Sequence, residues 1–108
     1  MNRSENQKSL IEAISRISER NFKIGPLYTK SSGSNDFVVH IMDSTENKAG
    51  EVEISRRLGS DTWNVQATTT HYFNGQNKTY FKQTGAKQYS DFDKAKEAWV
   101  KTIAEIVS

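Results

Sequence analysis

The sequence predicts an α+β fold: a two-layer sandwich with an N-terminal helix, a four- to five-stranded antiparallel meander and a C-terminal helix. Three observations predict it. Apolar residues near both ends of the chain recur at helical spacing. The middle of the chain alternates apolar and polar residues with the period of two of a half-buried strand. Between those alternating runs stand Gly59-Ser60 and Asn74-Gly75, dipeptides that suit two-residue hairpin turns. Elements with one apolar face each pack most simply with both helices on one face of the sheet. At 108 residues this is a single domain, 1–108.

The first helix is expected over residues 5–20. Ser4 and Gln7 match a capping box, Leu10, Ile11, Ile14 and Ile17 form the apolar stripe, and Glu12 and Arg16 sit one turn apart on the opposite side. Asn21 is expected to stop it in a left-handed conformation. Phe22 to Lys30 reads as a strand interrupted by Gly25-Pro26. Proline has no N–H for a sheet ladder, so this is an edge strand. Residues 30–35 form a Ser/Gly turn. Phe37, Val39 and Ile41 then face one way, and Val38, His40 and Met42 the other. After a polar loop at 44–49, Val52 and Ile54 alternate with Glu51, Glu53 and Ser55.

A two-residue Gly59-Ser60 loop pairs Leu58 with Asp61, hence Ile54 with Val65 and Val52 with Ala67 on one face, and Glu53 with Gln66 on the other. Apolar meeting apolar supports this register independently of the turn. The next hairpin has two solutions. A type I′ turn at Asn74-Gly75 pairs Thr69 with Tyr80 and buries Tyr80. A three-residue loop sets His71 opposite Phe81 and buries Phe81. Dipeptide preference favours the first. Ser90 is the expected cap of the last helix, with Asp91 and Asp93 in its first turn. Phe92, Ala95, Trp99, Ile103 and Ile106 form its stripe, widened by Val100 and Val107, with Glu97 and Lys101 on the polar side. The glycines at 33, 50, 59, 75 and 85 are assigned to loops and turns.

Composition narrows the function classes. The chain carries 2 Trp, 4 Tyr and 5 Phe at a net charge of +2, which excludes a disordered chain. A pI near 8.9 permits nucleic-acid binding without requiring it. With no cysteine there is no disulfide, thiolate metal site or cysteine nucleophile. No apolar run approaches the ~20 residues of a membrane span. Residues 1–9 are polar and charged, so with Met1 as the start the expected location is cytoplasmic.

The chain has two histidines, His40 and His71. On the expected register His40 lies opposite Glu53, with Glu51 diagonal and Ser55 near. A base–orienter pair of this kind needs a nucleophile in a concave pocket, and a metal needs a third and fourth rigid ligand. Neither is evident, and a solvated His–Glu pair accounts for the pattern. Asn77-Lys78-Thr79 matches a glycosylation sequon by chance in a cytoplasmic protein. From Thr62 to Ser90 there is no Asp or Glu. Lys78, Lys82 and Lys87 alternate there with aromatic residues, and Arg56 and Arg57 lie just upstream, near Trp63. Cations that neutralise phosphates beside rings that stack on bases suit nucleic acid. Lysines that discourage edge pairing, and an Arg56–Trp63 cation–π contact, account for the same pattern without a ligand.

Trp63-x-Val65, the Asn74-Gly75 hairpin and Tyr89-x-x-Phe92-Asp93-x-Ala95-x-x-Ala98 are similar in order to three-stranded-sheet-plus-helix DNA-binding domains, the arm-binding domains of phage integrases and the plant AP2 domain. The similarity covers the last half of the chain. It implies a sheet docked in the major groove by strand arginines, yet the corresponding face here is Asn64, Gln66, Thr68 and Thr70. The helix–strands–helix order also resembles double-stranded-RNA-binding domains, with Asp91 and Asp93 where those carry lysines at the start of the last helix. Neither pattern assigns the chain to a family.

The expectation is therefore a small non-enzymatic binding module without cofactor, metal or small-molecule substrate and away from the membrane. Its partner is a protein or a second copy, in the manner of the accessory, adaptor or inhibitor proteins that phages and mobile elements encode. The alternative is a nucleic-acid-binding domain using the hairpin at 70–88. The candidate binding residues are Arg56, Arg57, Tyr72, Lys78, Tyr80, Lys82 and Lys87. A second candidate surface is the open sheet face, with Val38, Met42, Thr68, Thr70 and Tyr72.

Overall fold

The computed structural model describes residues 3–30, 35–56, 59–69 and 81–108. The elements are α1 (Arg3–Ile14), β1 (Lys23–Thr29), β2 (Asp36–Met42), β3 (Lys48–Arg56), β4 (Trp63–Thr69), β5 (Lys87–Tyr89) and α2 (Phe92–Val107). The strands form one antiparallel sheet in the order β1-β2-β3-β4-β5. Together with the flanking helices it makes the α+β meander that the periodicity predicts.

Inward-facing Phe37, Val39, Ile41, Val52, Ile54, Val65 and Ala67 meet Leu10 of α1 and Phe92, Ala95, Trp99, Ile103 and Val107 of α2 in one buried cluster. Trp99 is fully buried, and its indole N–H donates to the Val52 carbonyl at 3.2 Å, which ties α2 to β3. Val107, not Ile106, completes the buried stripe, and Ile106 is left half-buried on the flank of α2. Gly59 has φ +76 and turns the chain as the dipeptide suggests. The β3–β4 register is the one the turn implies: Ile54 faces Val65, Val52 faces Ala67 and Glu53 faces Gln66.

Several expectations are corrected. Helix α1 ends at Ile14, not residue 20. The Ser15 hydroxyl takes the Glu12 carbonyl at 2.7 Å, while Arg16 and Ile17 donate three residues back, so the last turn tightens and the helix stops. Ser4 lies inside the helix and does not cap it. Ile11 is exposed, whereas Asn6, one turn before Leu10, is buried. Asn21 is not left-handed: among described non-glycine residues only Glu46 has positive φ. Asn21 instead ties down the end of α2, its N–H donating to the Val107 carbonyl at 2.8 Å and its amide to that of Ser108 at 2.8 Å. Asp91, not Ser90, caps α2, its carboxylate accepting from Lys94 N–H at 2.8 Å. Gly50 lies in β3 and is buried; a Cβ there would collide with Phe81 Cζ and the Thr68 carbonyl oxygen. Strand β1 is an edge as expected, with its register broken between Ile24 and Leu27, around Gly25-Pro26.

The Asn74-Gly75 hairpin, the Thr69–Tyr80 pairing and Gly33 lie outside the described residues. On the described side β4 pairs with β5, Trp63 facing Tyr89 and Val65 facing Lys87, and Phe81 packs against the core.

Candidate binding surface

The sequence-derived set divides in space. Arg56 sits at the β3–β4 turn, directly across from Trp63. Its guanidinium does not lie on the ring: Nε donates to the Ser60 carbonyl at 2.9 Å, and the Asp61 carboxylate is 3.8 Å away. Lys82 and Lys87 lie on the far side of the sheet, against α2. Arg57, Tyr72, Lys78, Tyr80 and His71 lie outside the described residues.

Lys82 and Lys87 rim a trough that sequence reasoning missed. One end, about 310 Å³, is walled by Phe22, Phe81, Ala67 and Ile106. The other, about 210 Å³, is walled by Val65, Tyr89 and Ala98. Both share Thr84, Thr102 and Glu105, so they are continuous. The floor exists because β5 pairs with only three residues of β4. Beyond it, Thr84 takes over from a strand, its N–H donating to the Ala67 carbonyl at 3.0 Å and its hydroxyl accepting from Ala67 N–H at 3.1 Å. Along α2, Ala98, Thr102 and Ile106 follow one another a turn apart on the same flank, and their small or short side chains leave the space open. Lys94 and Lys101 extend the rim set by Lys82 and Lys87. None of these four lysines is in an ion pair among the described residues. Glu97 and Glu105 are interspersed. The sequence signal was present in the Lys94–Lys101 spacing and the small residues beside the apolar stripe.

The outer sheet face is not an open apolar surface. Val38 is fully buried there between Tyr28 and Glu53, its cross-strand neighbours. Thr68 is exposed, and Thr70 and Tyr72 lie outside the described residues. His40 faces Glu51, not Glu53, because the register shifts between Ile41 and Met42 at the β2–β3 connection. Its Nε2 is 2.8 Å from the Tyr28 hydroxyl. Lys48 bridges to Glu51 at 3.0 Å. Burial, then the Lys48 charge, lowers the His40 pKa against the opposing pull of Glu51. Burial, then the Glu51 charge, raises that of Tyr28. Ser55 stands four residues beyond Glu51 along β3, roughly 13 Å by strand rise. It therefore sits far from the imidazole it would need as a base. Further along, Lys30 Nζ lies 3.0 Å from Glu53 Oε1, and this hydrogen bond raises the lysine's pKa. Asp36 is pushed up to about 6 by burial, then by its hydrogen bond to Glu53 and that group's charge.

Among the described residues no group of three His, Asp or Glu side chains is placed to share a metal ion, and no helix is long and apolar enough to cross a membrane. No protein-family model, curated protein or solved structure matches the chain.

Proposed function

We propose that the chain is a small non-enzymatic, cytoplasmic binding module whose partner is a protein, and that the partner seats in the trough between α2 and residues 81–89. The observation that carries this reading is the trough's make-up: an apolar floor beside lysines that have no carboxylate of their own. It suits a partner that inserts apolar side chains between Phe22, Phe81 and Ile106 and sets acidic groups against Lys82, Lys87 and Lys101. Strand addition at either edge is disfavoured. β1 carries Pro26 and a register break, and β5 is three residues long with Lys87 on it. On the outer face the polar side chains already hold one another. An accessory, adaptor or inhibitor protein fits this description.

The test is affinity capture from the source cell with wild-type protein and with Ala98→Arg, which fills the trough from the exposed flank of α2, each with and without nuclease. The expected result is one protein captured by wild type, lost with Ala98→Arg and indifferent to nuclease, while circular dichroism shows the variant folded. Equal capture by both proteins would overturn the trough as the site. Capture that disappears with nuclease would transfer the same lysines to the nucleic-acid reading. A binding constant falling with salt at a log–log slope of roughly −2 to −4 would support that reading.

A further inference from the structure

Lys30, Asp36 and Glu53 stand in a row across three strands on the outer face. Lys30 directly follows β1, Asp36 opens β2 and Glu53 lies in β3. The Lys30 N–H donates to the Asp36 carbonyl at 3.1 Å, closing the end of the β1–β2 pair. Lys30 Nζ reaches Glu53 Oε1 at 3.0 Å. The side chains of Asp36 and Glu53 are hydrogen-bonded to each other. Asp36 Oδ1 is buried without any hydrogen-bond partner.

Two ionised carboxylates only accept hydrogen bonds, so this contact requires a proton on one of them. The unpartnered Oδ1 fits the same assignment, because the carbonyl oxygen of a neutral acid is cheaper to bury alone than half of a carboxylate. The surrounding charges leave the proton unreplaced. Tyr28 and Lys30 face the row from the β1 side, Glu51 and Glu53 from β3, and His40 and Lys48 gather at its far end around Glu51. Ser55, opposite Asp36, brings no charge. Lys30 is the one cation in contact with the two acids among the described residues, and it neutralises only one of them.

We propose that Asp36 and Glu53 share a single proton, making this row a proton-operated clasp on the β1–β2 end of the sheet. The clasp is closed while the proton is bound and loosened by carboxylate repulsion when the proton returns to solvent. Burial around Asp36 and its hydrogen bond to Glu53 set its titration at about 6, which lies within reach of ordinary changes in cellular pH. The device is independent of the trough and stands whether or not the trough binds a protein.

Carbon-13 NMR of the side-chain carboxyl carbons across pH 3–9 tests it. Asp36 is expected to titrate near 6, with the Glu53 signal moving through the same transition. Glu53→Gln is expected to lower the Asp36 midpoint and Lys30→Met to raise it. Asp36→Asn keeps a donor toward Glu53 without needing a proton, so it is expected to raise the urea midpoint of unfolding at pH 8 and leave it unchanged at pH 4. An Asp36 midpoint near the ordinary ~4 would overturn the proposal. So would a raised midpoint that Glu53→Gln leaves in place, since burial alone would then explain it. Should a variant fail to fold, the wild-type titration of the two carboxyls decides by itself.

Discussion

The two tryptophans predict unequal costs for the same substitution. Trp99 is fully buried, and its indole N–H donates to the buried Val52 carbonyl at 3.2 Å. Trp99→Phe removes that donor, a loss of about 1–3 kcal/mol when the acceptor stays buried. The smaller ring also leaves unfilled volume in a packed core, about 1–2 kcal/mol more. The expected total is about 2–4 kcal/mol, a large part of the ~5–15 kcal/mol of a domain. Trp63 is 6% exposed and meets Phe92 edge-on with ring centroids 5.0 Å apart, but its indole N–H has no partner among the described residues. Trp63→Phe therefore forfeits volume alone, about 1–2 kcal/mol. Guanidinium unfolding followed by far-ultraviolet circular dichroism measures both, with equal m-values as the check on two-state behaviour. Each variant keeps one tryptophan, so fluorescence reports the remaining environment separately. A Trp63→Phe cost equal to or above that of Trp99→Phe would refute the reasoning, since the bond to Val52 would then contribute nothing.

Asp91→Ala should destabilise by about 1 kcal/mol through loss of the α2 cap, whereas Ser90→Ala should be near neutral; thermal melts of the two variants separate them. Gly50→Ala should destabilise clearly and expel Phe81 from its place over β3, because the new methyl meets the Phe81 ring and the Thr68 carbonyl. Faster amide exchange at Thr84 and Ala67, whose mutual hydrogen bonds lie beside that ring, is the accompanying readout.

What could be read from residues alone follows from how local each determinant is. Gly59-Ser60 fixes the β3–β4 register because a two-residue loop leaves no freedom in which residues face each other. The β2–β3 register escapes the same logic. Its connection is organised by Asp43, whose Oδ1 accepts from Thr45 N–H, Thr45 hydroxyl and Asn47 N–H, and by Glu46 at φ 64. An irregular loop of this kind has no dipeptide signature, and the resulting shift moves His40 from Glu53 to Glu51. Helix α1 runs short of its periodic pattern because Ser15 competes for a backbone carbonyl, a contest the spacing of isoleucines cannot register. Gly50 reads as a loop residue until Phe81, more than thirty positions away, is seen to require its bare backbone. The trough is likewise non-local: it forms where the flank of α2 passes an edge strand too short to cover it.

Stability against pH gives the outer face its sharpest test, because its two titrating groups act in opposite senses. The folded-state pKa of Asp36 is raised from 3.8 to about 6. Between these values the folded chain binds more protons than the unfolded chain, so this group's contribution is full below the unfolded pKa and is lost as pH rises through about 6. At 1.36 kcal/mol per unit the upper bound is near 3 kcal/mol, and solvent screening at a half-exposed position reduces it to about 1–2 kcal/mol. His40 is shifted the other way, chiefly by burial. Its folded pKa lies below the unfolded ~6.5, so the unfolded chain binds the extra proton and stability falls as pH drops through that range. Near pH 5–6 the two trends offset each other in the wild type. Asp36→Asn exposes the histidine term, giving a protein that loses stability on acidification more steeply than wild type over pH 7–4.5. His40→Gln, which keeps an acceptor for the Tyr28 hydroxyl, exposes the carboxyl term and leaves a protein that gains stability over the same interval. Urea midpoints at half-unit pH steps measure all three proteins. Parallel curves for wild type and Asp36→Asn would mean that Asp36 carries no excess proton in the folded state, and the carboxyl pair would have to be redrawn as two independent surface acids.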